Sequence, residues 1–167
     1  MKDQEFIVKD NVALIPITST SAFAIIDLED VDKVKQHNTY FHYTGRDNDY
    51  VICWSRTLKR NIYLSEIIAG PNQDHIDTNK LNNRKSNLRP ATNDENIKNR
   101  NKFIGNYTSK YKGVTECKRR KKKWQAQIQV DNKYIYLGRF LTQEEAAIAY
   151  NEAAIIHHGE FANLNPI

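Results

Sequence analysis

The strict alternation of apolar and polar residues in WQAQIQV, residues 124–130, constrains the fold of this chain more than any other feature. In an extended strand the four apolar residues share one face and the three glutamines share the other. Asp131-Asn132 follows where a tight hairpin turn is needed, and residues 133–139 can return as a second strand. Residues 112–117 complete a predicted three-stranded antiparallel sheet.

The residues after this sheet predict one helix that packs on it. Thr142-Gln143-Glu144-Glu145 is a capping box, the following segment is rich in alanine, and Gly159 is a good C-terminal stop. Within the strand at 133–139 we expect Ile135 and Leu137 to pack inward, which leaves Tyr134 and Tyr136 outward.

The charge of the chain is concentrated around this sheet. The net charge is +5, but residues 98–139 carry 13 basic and 2 acidic side chains. A block this basic is a candidate site for nucleic-acid phosphates. A solubilising tail is the alternative, and the apolar residues of WQAQIQV and YIYLGRF argue against it.

The outward face of the sheet combines amides and phenols with a basic edge. Such a face suits a sheet in the major groove, where glutamine pairs with adenine and basic side chains hold phosphates. An ordinary solvated face is the alternative. The basic edge that we expect to contact DNA consists of Arg119, Arg120, Lys121, Lys122 and Lys123.

Residues 110–165 resemble the Apetala-type (ethylene-response-factor) DNA-binding domain. The resemblance is carried by Lys-Gly-Val, Lys-Trp-x-Ala-x-Ile, Tyr-Leu-Gly-x-Phe, Glu-Glu-Ala-Ala-x-Ala-Tyr and a closing Leu-Asn. It implies three antiparallel strands packed on one helix, with the sheet in the major groove. The implied DNA-contact positions are Lys112, Thr115, Cys117, Gln127, Gln129, Tyr134 and Tyr136. Thr115, Cys117 and Gln129 depart from the residues usual in that family, so the target sequence does not carry over.

The first part of the chain is predicted to be scaffold. Residues 12–17, 22–27, 50–54 and 60–64 predict strands, and residues 28–36 predict a short helix. A single helical turn at 65–69, with Ser65 as its cap, is expected to stop at Gly70-Pro71.

Residues 73–100 form the most informative polar stretch. Asp74-His75 combines a carboxylate with an imidazole, and Thr92 opens a capping box for a helix that runs to about Arg100 and carries Asn96. Phosphodiester hydrolysis needs a base, which histidine can supply, and charge stabilisation, which a divalent cation held by oxygen ligands can supply. An Asp-His pair is weak evidence by itself, since most such pairs are surface residues.

The whole segment, DHIDTNKLNNRKSNLR followed by ATNDENIKNRN, resembles the HNH homing-endonuclease family in order and spacing. The resemblance implies two strands and a helix around one metal, in a His-Asn-Asn variant. It implies His75 as general base, Asn87 as the residue that orients it, and Asp74 and Asn96 as metal ligands. Thr78 replaces the usual glycine, Asn82 a frequent aspartate, and Ser65-Glu66 an upstream His-Arg. Asn83 and Arg84 are expected to hold the loop between the strands.

Together these features predict an α+β chain with two modules. The first is an N-terminal ββα-metal (HNH) nuclease domain at 1–100, with its motif core at 73–100. A linker at 101–109 and a C-terminal three-stranded antiparallel sheet packed on one helix at 110–167 follow. The predicted function is a metal-dependent DNA endonuclease of homing type, from a phage or mobile element. A non-catalytic DNA-binding regulator with a degenerate nuclease fold is the alternative, and RNA binding is a third possibility.

The remaining expectations concern cofactor, partners and compartment. The cofactor is expected to be Mg²⁺, with Mn²⁺ as a possibility, and the partner double-stranded DNA, bound by a monomer. No apolar run is long enough for a signal peptide or a membrane span. Cys53 and Cys117 lie far apart without a CxxC partner, which favours a reducing, cytoplasmic setting over secretion.

Overall fold

The computed structural model describes residues 5–18, 20–37, 41–43, 50–55, 58–102, 105, 107–118, 121 and 123–167. The chain is mixed α/β, with several small antiparallel sheets and four α-helices in this part. It divides into two compact units, Met1–Thr92 and Asn93–Ile167. None of the described helices is both long and apolar enough to cross a membrane.

The first unit begins with an antiparallel sheet of three strands in the order β1-β2-β3. These strands are β1 (Ile7–Lys9), β2 (Val12–Pro16) and β3 (Phe23–Asp27). A 3-10 turn at Leu28–Asp30 leads into α1 (Val31–Lys35). The predictions of strands at 12–17 and 22–27 and of a helix at 28–36 are thus confirmed, whereas β1 was not predicted.

A second sheet and a hairpin complete this unit. The sheet pairs β4 (His42–Tyr43), β5 (Val51–Ser55) and β6 (Arg60–Tyr63), and α2 (Leu64–Ala69) follows. The hairpin pairs β7 (Gln73–His75) with β8 (Leu88–Pro90). The prediction that Ser65 caps α2 is wrong. The cap position is Tyr63, and Ser65 lies buried inside the helix, because the apolar Leu64, Ile67 and Ile68 set which face turns inward.

One apolar core joins the elements of the first unit. Ile15, Ile26, Phe41 and Leu64 are completely buried in it, together with residues of α1, β5 and β8. Because β8 contributes to this core, the hairpin and the residues between β7 and β8 are attached to a packed interior.

The second unit starts with α3 (Asn93–Lys98) and continues with a sheet and a long helix. The strands are β9 (Val114–Glu116), β10 (Trp124–Val130) and β11 (Lys133–Phe140), with β10 in the centre, and the helix is α4 (Gln143–His158). Ala126 and Ile128 of β10 are buried against alanines of α4, as the alternation predicts. The predicted capping box of Thr142 and Glu145 is present with both of its hydrogen bonds.

Two backbone features shape this sheet. Asp131 and Asn132 both have positive φ, at 48° and 61°, which is the conformation of a tight two-residue hairpin turn. Gly113, with φ of 73°, lies against the ring of Tyr150 from α4. A Cβ at this position would come within 2.1 Å of that ring, so only glycine lets the chain enter β9 this close to the helix.

Candidate active site and DNA-binding face

Asp74 and His75, the last two residues of β7, both lie in the interior of the first unit. Asp74 is 0% exposed and His75 is 1% exposed. Arg89, the residue opposite Asp74 on β8, donates from Nε and Nη2 to the Oδ2 atom of Asp74, over 3.0 and 2.8 Å. The guanidinium therefore compensates the buried carboxylate and fixes its orientation.

His75 is oriented by Asn83. The Nδ2 group of Asn83 donates to the backbone oxygen of Lys80 over 3.0 Å, which leaves the Asn83 Oδ1 atom as the acceptor 3.1 Å from the Nε2 atom of His75. Nε2 of the imidazole must therefore carry a proton, and in the neutral ring Nδ1 then holds the lone pair. A base needs this lone pair in order to take a proton from water.

The surroundings of His75 also keep its ring neutral. Burial and the nearby ammonium of Lys80 lower the pKa of His75 to about 4, against the opposing effects of Asn83, Asp74 and Asp77. The imidazole is therefore in its proton-accepting form throughout the neutral pH range.

Asn87, which the resemblance implies as the orienting residue, forms its side-chain hydrogen bonds within the loop. It accepts from the backbone N–H of Asp77 and donates both to Asp77 Oδ1 and to the backbone oxygen of Asn82. The structure thus assigns the direct contact with His75 to Asn83. Asn83 was expected only to hold the loop, and its two hydrogen bonds show that it both holds the loop and contacts the imidazole.

Asp77 is the acceptor at the centre of this loop. Burial opposes its ionisation, but hydrogen bonds from Asn82, from the backbone of Asn79 and from Asn87 outweigh it and lower the pKa of Asp77. An aspartate at position 82, as is frequent in the family pattern, would place a second carboxylate against Asp77. Asn82 supplies a donor there instead, and its Oδ1 accepts from Arg84.

The N-terminal sheet holds this loop by backbone hydrogen bonds. Ile25 of β3 donates to the oxygen of Leu81, and its own oxygen accepts from the N–H of Asn83, both over 2.8 Å. The N–H of Lys85 donates to the carboxylate of Asp27. The first strands, which were predicted to be scaffold, thus hold the loop that carries Asn83 in position.

Asn96, the second predicted metal ligand, lies on α3 and belongs to the second unit. Lys112, predicted to contact DNA, holds the end of this helix. Its Nζ donates to the backbone oxygens of Lys98 and Arg100, each over 2.7 Å. Burial, followed by the charge of Arg100, lowers the pKa of Lys112 to about 8. Lys112 is thus an anchor within its unit as well as a predicted contact.

Four of the predicted DNA-contact residues meet as cross-strand neighbours. Gln127 lies opposite Tyr136, and Gln129 lies opposite Tyr134. The two-residue turn at Asp131-Asn132 sets this register, and the bulge between Ala126 and Gln127 changes the register only in the part of the strands farther from the turn. Tyr134 and Tyr136 are 68% and 59% exposed, which is unusual for side chains of this size. These four residues form what we call the glutamine–tyrosine face.

Thr115, Cys117 and Gln125 continue this surface toward β9. Thr115 lies opposite Gln125, and the thiol of Cys117 is 3.6 Å from the Gln125 side chain. Gln125 also donates to Gln127 over 3.4 Å, so it belongs to the same surface although it was not among the predicted contacts. Of the predicted basic edge, Lys121 and Lys123 are exposed. Arg119, Arg120 and Lys122 lie outside the described residues.

The fold and these two sites define a mixed α/β protein with a buried, oriented histidine on a hairpin and a separate exposed face of glutamines and tyrosines. The chain is 32% identical to an uncharacterized HNH endonuclease of Acanthamoeba polyphaga mimivirus, over 98% of this chain and 86% of that protein. It belongs to the HNH endonuclease family. No family model matches the chain.

Two relatives from Arabidopsis thaliana match a shorter segment. An AP2-like ethylene-responsive transcription factor is 51% identical over 53 residues, which cover 30% of this chain and 15% of that protein. A second ethylene-responsive transcription factor is 48% identical over 59 residues, which cover 34% of this chain and 14% of its own length. The chain therefore matches only about a seventh of each plant protein.

Proposed function

We propose that this protein is a metal-dependent DNA endonuclease of homing type, in which His75 is the general base and the C-terminal sheet selects the site. The observation that carries the proposal is the hydrogen bond of His75 to Asn83. That bond fixes the tautomer of a buried, neutral imidazole beside a carboxylate, within a family of nucleases. A regulator without nuclease activity has no need for an imidazole held in this way.

In the proposed reaction His75 takes a proton from water through Nδ1. The water oxygen then bonds to phosphorus while the bond from phosphorus to the leaving oxygen breaks. Asn83 keeps Nε2 in its donor role as the ring becomes positively charged, because its oxygen accepts that N–H. Asp74 and Asp77, whose charges act on the ring, favour the imidazolium that forms.

The side chains of Asp74 and Asn96 suit a hard divalent cation. Carboxylate and amide oxygens are ligands that bind Mg²⁺ and Mn²⁺, and substrate phosphates commonly complete such a site. Within the described residues no three His, Cys, Asp or Glu side chains lie together as a group that could hold a metal ion. When bound, the cation supplies charge stabilisation at the leaving oxygen. Arg89 keeps Asp74 in a single orientation for this role.

The C-terminal sheet is proposed to bind double-stranded DNA through the glutamine–tyrosine face. Amide side chains can form paired hydrogen bonds with adenine in the major groove, and exposed lysines at the edge can neutralise phosphates. The similarity to two plant transcription factors named ethylene-responsive supports this role. One histidine centre per chain suggests a monomer that nicks one strand first.

The test is nicking of supercoiled plasmid DNA by the purified full chain with Mg²⁺ or Mn²⁺, with and without chelator. We expect nicked circles to precede linear DNA, no cleavage in chelator, and a loss of about 10²–10⁴ in rate for His75→Ala. Asp74→Ala and Asn96→Ala should each require more metal for half-maximal rate. DNA binding without cleavage under every condition would instead support the non-catalytic regulator.

A further inference from the structure

The sheet of β4, β5 and β6 has an inner face and an outer face. The inner face of β5 and β6 is buried in the core of the first unit through Val51, Cys53 and Ile62. Successive residues of a strand point to opposite faces, so the residues between these belong to the outer face. Cross-strand pairing places Trp54 opposite Asn61 there, and the next pair on the same face is Ile52 and Tyr63.

Two aromatic side chains on this outer face are half exposed. Trp54 is 49% exposed and Tyr63 is 47% exposed. They are diagonal neighbours across the two strands, a relation that brings large side chains within reach of each other. Asn61 is exposed beside them and adds an amide group. We call Trp54, Asn61 and Tyr63 the aromatic sheet face. Grouped exposed rings of this kind are typical of a binding surface.

Tyr50, the residue before β5, connects the aromatic sheet face to the histidine. The rings of Tyr50 and Tyr63 meet edge to face, with centroids 5.3 Å apart and an interplanar angle of 64°. The same Tyr50 ring lies 6.1 Å from the imidazole of His75, centroid to centroid. Tyr63 and His75 therefore contact one ring in common, and the face is continuous with the site at which we propose that DNA is cut.

The chemistry of this face fits nucleobases better than phosphates. Residues 1–60 carry 8 basic and 9 acidic side chains, so the strands of this sheet lie in a part of the chain without excess positive charge. Attraction to phosphates, which dominates binding to the DNA backbone, is therefore weak here. Aromatic rings instead stack on bases of any sequence, provided that the bases are unpaired and accessible.

We propose that the aromatic sheet face is a second nucleic-acid-binding site, which binds unpaired nucleobases of the DNA strand next to the bond that is cut. Trp54 and Tyr63 stack on the bases, and the amide of Asn61 forms hydrogen bonds with a base edge. The inference rests on the proposed nuclease function for the position of the strand, and it adds a place for the bases of that strand.

Tryptophan fluorescence tests the stacking directly. The chain contains two tryptophans, Trp54 and Trp124, so Trp124→Phe leaves Trp54 as the only indole. A short single-stranded oligonucleotide of mixed sequence, added in chelator, should quench the emission of Trp54. The duplex of the same sequence should quench it much less, because its bases are stacked on one another. Emission that stays unchanged when anisotropy shows the single strand to be bound would overturn the inference.

Affinity tests the same contact with both tryptophans present. The probes are a duplex with a gap of a few unpaired nucleotides and the continuous duplex of the same sequence, both in chelator. Trp54→Leu and Tyr63→Leu each remove a ring, and Trp54→Phe keeps one. Phe23→Leu is the matched control, since Phe23 is an aromatic residue, 39% exposed, on a strand of another sheet.

The wild type should prefer the gapped duplex. This preference should fall about 5–50-fold in Trp54→Leu, remain largely intact in Trp54→Phe and be unchanged in Phe23→Leu. Unfolding temperatures of the variants should match that of the control, because the substituted side chains lie outside the core. A preference that Trp54→Leu retains, or that Phe23→Leu loses equally, would overturn the inference and favour a protein partner for this face. These measurements need no cleavage, so a wild type that never nicks DNA would refute the nuclease proposal while the gapped duplex still decides this one.

Discussion

The Oδ1 atom of Asn83 lies 3.1 Å from the Nε2 atom of His75, and this contact decides which nitrogen of the neutral imidazole keeps the lone pair. The same amide donates to the backbone of Lys80, so it cannot rotate without breaking two hydrogen bonds. Asn87, by contrast, stabilises the loop through Asp77 and Asn82. Asn83 thus contacts the imidazole, whereas Asn87 closes the loop.

This division predicts the effect of Asn83→Ala. Without the acceptor at Nε2 the imidazole populates both tautomers and more than one orientation, so kcat for plasmid nicking should fall about 10–100-fold. Asn79→Ala is the matched control, because it removes an exposed asparagine from the same loop with one hydrogen bond to a backbone N–H. The control should retain the wild-type kcat. An Asn83→Ala enzyme with undiminished kcat would show that the contact does not orient the base.

In the proposed mechanism the pKa of His75 sets the pH dependence of kcat/KM. Burial and Lys80 lower this pKa to about 4, so the base is lost by protonation only in that region. The value of kcat/KM should therefore stay level as pH falls through 6.5, the ordinary pKa of histidine. Plasmid nicking between pH 5 and 8 at constant ionic strength measures this. A half-maximal kcat/KM near pH 6.5 would contradict the prediction.

The same pKa predicts how stability depends on pH. In the unfolded chain His75 has a pKa of about 6.5, so between that value and about 4 the unfolded state binds more protons than the folded state. The contribution of His75 to stability is therefore complete above pH 6.5 and is lost as pH falls toward 4. In urea unfolding of the wild type and His75→Gln over this range, the free energy of unfolding should fall more steeply with decreasing pH in the wild type.

The sequence pattern was sufficient for the elements of the sheet module, because alternation, a two-residue turn and a capping box are local signals. The pattern did not predict which asparagine forms the hydrogen bond with His75. Asn83 and Asn87 both lie in the loop, and the choice between them depends on Ile25 of β3, which fixes Asn83 through long-range backbone hydrogen bonds. Pairings this distant in the chain leave no periodic signal, and the same holds for Lys112 at the end of α3.

Thr78 should be a strained position. Its φ is 63°, a left-handed conformation that costs a side chain with a Cβ about 1–2 kcal/mol and is hardest for a branched one. This explains the glycine that the family pattern has here. Thr78→Gly should raise the free energy of unfolding by about 1 kcal/mol, after the added freedom of the unfolded chain is deducted. Chemical denaturation measures the change, and a destabilised glycine variant would show that the side chain of Thr78 contributes more than its strain costs.

Gly113 should tolerate no side chain. A Cβ there would meet the Tyr150 ring at 2.1 Å and the backbone oxygen of Gln127 at 2.5 Å, in a chain segment with φ of 73°. Gly113→Ala should therefore cost about 3 kcal/mol or more and weaken DNA binding by the second unit. Gly159→Ala is the control, since φ is 56° there and no atom lies within 4 Å of the added Cβ. Its cost should be about 1–3 kcal/mol, from backbone strain alone, because φ of 56° with ψ of −129° is a conformation that residues with a Cβ rarely adopt.

In the sheet module, different residues should determine sequence discrimination and general affinity for DNA. Gln127 and Gln129 lie opposite Tyr136 and Tyr134 on the exposed face, whereas Lys121 and Lys123 are exposed near the start of β10. Base edges carry sequence information and phosphates do not. Substitution of the two groups of residues should therefore change DNA binding in different ways.

Gln127→Ala combined with Gln129→Ala should leave the salt dependence of binding nearly unchanged and reduce the preference for a selected site by about 1–3 kcal/mol for each base that a glutamine recognises. Lys121→Met combined with Lys123→Met should weaken binding to all DNA alike and lower the slope of log K against log salt by up to about 0.9 for each phosphate that a lysine neutralises. The measurement is binding of the full chain in chelator to a selected and an unrelated duplex over a salt series. If the glutamine variant binds both duplexes more weakly by the same factor, the glutamine–tyrosine face does not contact base edges, and discrimination must come from other residues of the chain.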